Sequence, residues 1–262
     1  MKLEMRTLNH RHPLAAALAL LAGVATIARP QSAPAGAHPS AAEIVARAAK
    51  AADPSGKLAG HTSVRSLSDV EVLGVGISGK IESYAARPDR FLTQTTLGPI
   101  GTVAAGHDGS VGWLMNPATG PSLMDASQMS RARHLNAFDA MVFKAESFKS
   151  MSEPVVETFE GRSCYKVHLV ATTAFEYDAY FDVENGMRRG LKYEDKGPMG
   201  MVPVTVVYDD YRDFGGVMVA AKVTQKTATI SMVQRVTAVQ FDAVADSMFA
   251  LPPAIKSLAG KN

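Results

Sequence analysis

The chain has 262 residues, of which 47% are hydrophobic and 20% charged, and its 27 lysines and arginines nearly balance 25 aspartates and glutamates. This apolar content excludes a disordered chain, and the single cysteine, Cys164, excludes a disulfide scaffold, a zinc ribbon and CxxC redox chemistry. The near-neutral charge leaves no basic surface of the kind that binds phosphates, so nucleic acid is not an expected partner.

The N-terminus has the order of a secretory signal peptide. Three basic residues lie within residues 1–13, an uncharged apolar stretch follows over 14–28, and small residues then lead to Ala35-Gly36-Ala37. The apolar stretch is shorter than the about 20 residues that span a membrane. The sequence therefore predicts cleavage after Ala37, export to the bacterial periplasm, and a single domain over residues 38–262. An uncleaved membrane anchor is the alternative.

The exported part begins with a predicted helix and continues with strands. Ser40 and Glu43 form a capping box ahead of AAEIVARAAKAA, which Asp53-Pro54-Ser55-Gly56 terminates. Alternating apolar residues then predict an antiparallel meander, and Asp108-Gly109 marks one of its hairpins. The glycines of GVGISG (74–79) match the spacing of a nucleotide-binding loop, but no helix pattern follows. We interpret them as a bulge or a close approach between strands.

A second predicted helix interrupts the meander. Asn116–Pro121 forms a loop stiffened by two prolines, and Asp125 precedes Gln128 at capping-box spacing. An apolar stripe then recurs at helical spacing, which predicts an amphipathic helix over 126–145. The stripe consists of Leu135, Phe138 and Val142, widened by Met129 and Met141.

The second half returns to strands. Glu160-Gly161, Asn185-Gly186 and Gly215-Gly216 predict hairpin turns, and Tyr177–Val183 alternates apolar with polar residues. Pro252-Pro253 is expected to close the ordered part. The count is ten or eleven strands and two principal helices. The predicted fold is mainly β, with a curved antiparallel sheet forming a half-open, incomplete barrel around its helices.

No residue pattern indicates catalysis or a metal. The histidines lack metal-ligand spacing, no GxSxG elbow is present, and His107 is interpreted as a solvated turn residue. Arg188-Arg189 and the Arg131/Arg133 pair are interpreted as solvated, with contact to an anionic head group or to a docking partner as the alternative. Methionines cluster around the loop and the second helix, which favours an adaptable apolar cavity over ordinary core filling. These are Met115, Met124, Met129, Met141, Met151, Met199 and Met201.

Two segments and the order of elements resemble a known family. DGSVGW (108–113) and NPATGP (116–121) lie between the first meander and an amphipathic helix, and a second meander follows. This arrangement resembles the LolA/LolB-like superfamily, in particular the outer-membrane lipoprotein-sorting proteins. The resemblance implies a half-open barrel with an apolar interior that receives acyl chains, and no enzymatic activity. In the family's carriers an arginine holds the lid shut, and the sequence assigns no residue to this role.

The resulting hypothesis is a periplasmic carrier for lipoproteins or other acylated ligands, with lipid or lipoprotein as partner and a membrane-bound donor or acceptor protein. It needs no cofactor. A sensing or scaffold domain of the same fold, and a hydrolase whose site assembles only in space, are the alternatives. Trp113 shares one strand face with two neighbours at period two and is placed on the inner wall. The helix over 126–145 and its preceding loop are expected to act as a lid. The predicted cavity and lid residues are Val72, Ile77, Ile81, Phe91, Val111, Trp113, Met115, Met129, Leu135, Phe138 and Val142.

Overall fold

The computed structural model describes residues 39–197 and 200–260. The predicted signal peptide and Met199 lie outside these ranges. The first helix, α1 (Ala41–Ala52), has the predicted capping box, because Ser40 Oγ accepts a hydrogen bond from the Glu43 amide and the Glu43 carboxylate accepts one from the Ser40 amide. Its apolar side buries Ile44, Val45 and Ala48.

One antiparallel sheet contains all fourteen strands of the described chain. The order in the sheet is β6-β5-β4-β3-β2-β1-β14-β13-β12-β11-β10-β9-β7, with β8 also paired to β9. The strands are β1 (Ser63–Val72), β2 (Ile77–Ala86), β3 (Arg90–Leu97), β4 (Gly101–His107), β5 (Gly112–Asn116), β6 (Gly120–Leu123), β7 (Phe148–Met151), β8 (Val155–Phe159), β9 (Arg162–Ala171), β10 (Glu176–Asp182), β11 (Arg188–Gly197), β12 (Gly200–Phe214), β13 (Val217–Lys226) and β14 (Ser231–Phe241).

The sheet is open, because its outermost strands β6 and β7 do not pair with each other in the described residues. This confirms the predicted mainly-β, incomplete-barrel architecture. The predicted count of ten or eleven strands was too low. Asn116–Pro121, expected to be a loop, is instead the tight connection and start of a hairpin between β5 and β6.

The turn glycines behave as predicted. Glu160 and Gly161 have φ of 48° and 78°, and Gly215 and Gly216 have φ of 69° and 96°, as two-residue hairpin turns require. Gly79 lies where β2 meets β3, and a Cβ there would be 1.8 Å from the Thr96 carbonyl oxygen. The GVGISG segment is therefore a hairpin turn followed by a close strand approach.

The predicted helix over 126–145 was wrong in its length. The helix α2 (Ala126–Asn136) begins with the expected Asp125–Gln128 capping box but ends at Asn136, since Ala137 is extended at φ −60° and ψ 150°. A 3₁₀ turn, Phe138–Met141, follows. We call residues 126–143 the cover segment. Its break allows Phe138 and Val142 to be buried without sharing a helix face with Leu135.

A third helix was not predicted. Pro252-Pro253 was expected to end the ordered part of the chain, but the helix α3 (Pro253–Ala259) begins there. Proline is favoured at the first position of a helix, because its missing N–H costs no helix hydrogen bond there. Ile255 is its fully buried residue.

Apolar clusters pack on both faces of the sheet. We define the inner face as the one that carries Val64, Ala85 and Phe91, which α1 and the cover segment cover. Tyr177, Ala179 and Phe181 continue it, as their alternation predicts. On the outer face, Tyr180 and Cys164 are buried with Phe159 and Val207, and α3 covers Trp113 and Leu92. The alternation predicted one wet face for β10, but Tyr180 and Asp182 are buried as well.

Candidate ligand cavity

A cavity of about 300 Å³ lies between the inner face and the elements that cover it. Strands β1, β2, β3, β11, β12, β13 and β14 form its floor, while α1 and the cover segment form its roof. Its apolar wall includes Ala48, Val64, Ala85, Leu135, Ala140, Met141, Phe143, Val219, Val223, Val236 and Val239. This volume is at the lower end of the about 300–1,000 Å³ that small-molecule pockets occupy.

Several polar groups also line this cavity, so it is not purely apolar. Ser66, Ser83 and Thr93 contribute hydroxyls, and the Gln234 side-chain amide donates to Ser68 Oγ at 2.9 Å. The Tyr211 hydroxyl donates to the Arg188 carbonyl oxygen at 2.6 Å, and burial raises the pKa of Tyr211 to about 12.

Arg188 lines the cavity and is not a solvated surface residue as expected. Its guanidinium carbon lies 4.0 Å from the centroid of the Phe143 ring and 4.3 Å from that of Tyr208. The neighbouring Arg189 instead pairs with Asp209. The sequence predicted the same role for both arginines. Their side chains differ in environment because of the register between β10 and β11, which neighbouring residues do not reveal.

His134, near the end of α2, is a buried neutral histidine next to the cavity. Its Nε2 lies 2.9 Å from the Tyr177 hydroxyl, and its ring stacks on Phe143 at 5.3 Å. Burial, together with the positive charge of Arg188, lowers the pKa of His134 to about 4.

An arginine that the sequence did not single out fastens the cover segment. Arg87 donates to both carboxylate oxygens of Asp139, at 3.1 and 2.7 Å, and its guanidinium lies 4.6 Å from the Phe138 ring centroid. It also donates to the carbonyl oxygen of His61 at 2.6 Å. No local pattern reveals this role, because the partners are far apart in the chain.

The predicted inner-wall residues take different positions on the inner face. Leu135 lines the cavity, whereas Phe91, Phe138 and Val142 pack together beside it in a cluster with Leu58 and Val217. Met129 packs over Gly112, and a Cβ added at Gly112 would lie 2.1 Å from the methyl carbon of Met129. Val72, Ile77 and Ile81 share the inner face by register but lie farther along β1 and β2, outside the cavity lining.

Trp113 lies on the outer face, not on the inner wall where the sequence placed it. Register puts it opposite Gly106, whose missing side chain makes room for the indole, since a Cβ there would be 2.5 Å from the ring. Val111 and Met115 pack in the same cluster, as period two predicts, beneath Phe249 and Ile255. The periodicity identified the shared face, but which face it was depended on strand pairing across the sheet.

His107 was expected to be solvated and is instead buried. Its Nδ1 lies 2.7 Å from the Asp89 carbonyl oxygen, and its ring stacks on Phe91.

Within the described ranges no group of three or more histidine, cysteine or acidic residues is placed to hold a metal ion. A second cavity, of about 950 Å³, lies beside α2 and β10–β12, and five of its lining residues are charged, whereas Arg188 is the one charged residue in the lining of the first cavity. We take the first cavity, whose lining is less charged, as the candidate site for this reason.

Comparison with known proteins identifies the fold. A LolA superfamily protein from Nitrosomonas europaea superimposes with a TM-score of 0.52 at 14% identity, covering 82% of this chain and 99% of that one. An outer membrane lipoprotein-sorting protein domain from Vibrio parahaemolyticus gives 0.50 at 13% identity, covering 78% and 94%. A DUF1329 family protein from Desulfovibrio piger gives 0.52 at 9% identity, covering 79% and 96%. The chain therefore has a LolA-like fold, as the sequence resemblance predicts.

No protein-family model and no curated protein matches the sequence. Among the residues that the structure describes, no helix combines the length and the apolar character needed to cross a membrane.

Proposed function

We propose that this protein binds an acyl chain in the cavity beneath the cover segment and carries acylated ligands, lipoproteins among them, in the periplasm. The observation that supports this most directly is an apolar space roofed by a separate segment, which an ion pair holds to the sheet. Transfer of an acyl chain from water supplies about 0.8 kcal/mol per buried CH₂. Binding therefore needs no covalent step, and the function we propose is not enzymatic.

The similar structures support the same proposal at the level of fold. One is described by its lipoprotein-sorting role and another as a LolA superfamily protein. A carrier also needs a route by which its ligand enters, and the cover segment, broken at Ala137, is the element we propose to move.

Titration calorimetry with dodecanol, a neutral single-chain probe, tests the cavity. Ala140 lies in its roof, so Ala140→Phe fills the space, whereas Ala118→Phe adds the same side chain at an exposed hairpin tip. We expect wild type and Ala118→Phe to bind dodecanol equally and Ala140→Phe to bind at least about tenfold more weakly. Equal binding by Ala140→Phe, or no binding by wild type, would contradict the proposal.

Export is tested by intact-mass measurement of the protein from the periplasmic fraction. We expect a mass corresponding to residues 38–262. A full-length species in that fraction would show that the signal peptide is not removed there.

A protein-binding domain is the second candidate function, and a different observation favours it. Besides Val155 and Val156 on β8, five large apolar side chains are exposed in the described residues; they lie at or next to hairpin tips, and the strand registers place these tips at one end of the sheet. They are Leu73, Val75, Ile100, Met201 and Ile230. A photo-crosslinking residue at Val75 should then trap one defined protein, while the same residue at exposed Lys149 on β7 should not. Identical products from both positions would exclude this candidate.

A further inference from the structure

Among the residues that the structure describes, Arg188 lies on the inner face without an acidic partner. In the described ranges, ion pairs join Arg87, Arg131 and Arg189 to Asp139, Asp195 and Asp209 respectively. Arg188 has no carboxylate within ion-pair distance in that part of the chain. Its charge is nevertheless effective over the neighbouring groups, since it contributes to lowering the pKa of His134.

A backbone irregularity directs Arg188 into the cavity. Tyr180 of β10 pairs with Gly190, but the next residue, Phe181, pairs with Arg188, so Arg189 is an extra residue in β11. Phe181 belongs to the inner face, and Arg188 therefore shares that face. In a regular ladder Arg189 would occupy this position. Such bulges change the face of the sheet to which a side chain points, and they are frequent beside functional sites.

A second irregularity, on the adjacent strand β12, brings two tyrosines to the same place. Tyr208 and Tyr211 are three positions apart, so regular alternation would put them on opposite faces of the strand. Asp210 between them has φ of 52°, in the left-handed region, and both tyrosines line the cavity. The positively charged side chain of Arg188 and the side chains of two tyrosines thus line the same, largely apolar cavity.

The aromatic contacts fix the guanidinium in position. Phe143 of the cover segment and Tyr208 of the sheet both hold it by cation–π interactions, at 4.0 and 4.3 Å. A guanidinium offers five N–H donors, and the ring faces occupy none of them as a hydrogen-bond acceptor would. An anionic oxygen is the partner that this charge and geometry suit best.

We propose that the cavity takes a single-chain anionic amphiphile whose carboxylate or phosphate pairs with Arg188 while its chain lies along the apolar wall. This inference rests on the proposed function and specifies its ligand. The volume of about 300 Å³ suits one chain rather than several. Charge complementarity then selects ligands by head group, because the apolar wall alone distinguishes chains only by length.

The test compares three probes with the same chain: dodecanoate, dodecyl phosphate and neutral dodecanol. Wild type should bind at least one of the two anions at least about tenfold more tightly than dodecanol, as a charge-assisted hydrogen bond implies. Whether dodecanoate or dodecyl phosphate binds more tightly identifies the head group. Arg188→Met should remove this preference for the anions over dodecanol, and Arg188→Lys should retain part of it.

Arg189→Met is the matched control, because it removes the adjacent arginine, which pairs with Asp209 away from the cavity. It should keep the wild-type preference, and circular dichroism confirms that each variant is folded. Equal binding of all three probes by wild type, or an unchanged preference in Arg188→Met, would overturn the assignment of Arg188. Absence of dodecanol binding would instead refute the cavity itself, so the two proposals fail in different ways.

Discussion

The neighbours of His134, a buried residue of α2, determine its protonation state. His134 is enclosed by Phe143, Phe148, Phe175 and Tyr177, and its only hydrogen-bond partner in the described residues is the Tyr177 hydroxyl. A protonated imidazole there would be a buried charge close to Arg188, which is costly. The native state therefore holds His134 neutral.

This predicts a loss of stability in mild acid. The unfolded chain protonates His134 below about pH 6.5, whereas the folded chain does so only near its pKa of about 4. Between these values the unfolded state binds the extra proton, so the free energy of unfolding falls as the pH falls, by roughly 2 kcal/mol near pH 4.5. Urea unfolding of wild type and His134→Gln at neutral pH and near pH 4.5 measures the difference.

We expect His134→Gln to lose markedly less stability over this interval. The carboxylates of Glu82 and Asp182 also have lowered pKa values, through hydrogen bonds to Tyr84 and to the backbone amides of Asn185 and Glu184 respectively. Their contribution disappears at lower pH and is common to both proteins. Parallel pH profiles for the two proteins would show that His134 is not the group responsible.

At the scale of elements, the cover segment is held by four buried side chains, His134, Phe138, Val142 and Phe143, and by ion pairs of Arg131, Arg133 and Asp139. The helix α2 buries only His134, and the 3₁₀ turn after it is attached through Phe138 and the Arg87–Asp139 pair. Two backbone amides report on this turn. The Ala140 amide donates to the carbonyl oxygen of Ala137, and the Val142 amide donates to the backbone carbonyl oxygen of Asp139. Because most residues of the cover segment stay at least partly exposed, it is the part of the roof that we expect to open.

Asp139→Asn should loosen the turn without disrupting the sheet. The pair is partly exposed, so we expect a loss of about 1 kcal/mol, which accelerates hydrogen exchange at Ala140 and Val142 about fivefold. Asp210→Asn, which breaks the exposed pair with Arg212, is the control and should leave these amides unchanged. Unaltered exchange in Asp139→Asn would mean that other contacts hold the cover segment closed.

At the scale of the molecule, the sheet is covered on both faces. The inner face carries the cavity, while α3 and the turn before it cover the outer face around Trp113. Trp113 is 4% exposed, and Ile255 is fully buried against the same cluster. The one tryptophan therefore reports on the docking of α3 and not on ligand in the cavity.

Ile255→Asp should release α3, because burying the carboxylate costs several kcal/mol. We expect tryptophan emission to shift to longer wavelength while dodecanol binding is kept. Ala254→Asp places the same acid on the exposed side of α3 and should leave the emission unchanged. Loss of dodecanol binding together with the emission shift would show that the two faces of the sheet are coupled, and would contradict the conclusion that Trp113 reports only on the docking of α3.

Features set by local backbone chemistry could be predicted from the sequence. Capping boxes at Ser40 and Asp125, paired turn glycines and the burial of Cys164 all follow from neighbouring residues, and each is present. Strand alternation likewise predicted that Tyr177, Ala179 and Phe181 share a face. These features in their order, with the resemblance they carry, were enough to indicate an open LolA-like sheet.

Only the tertiary structure decided which face each strand turns inward and which arginine meets the cavity. Trp113 and its neighbours were correctly grouped but lie on the outer face, because pairing through β4 and β3 determines their side. Arg188 and Arg189 exchange roles through one extra residue in β11. A strand has period two, so a shift of one residue reverses inside and outside. The shift arises from pairing between strands, and no short stretch of sequence records it.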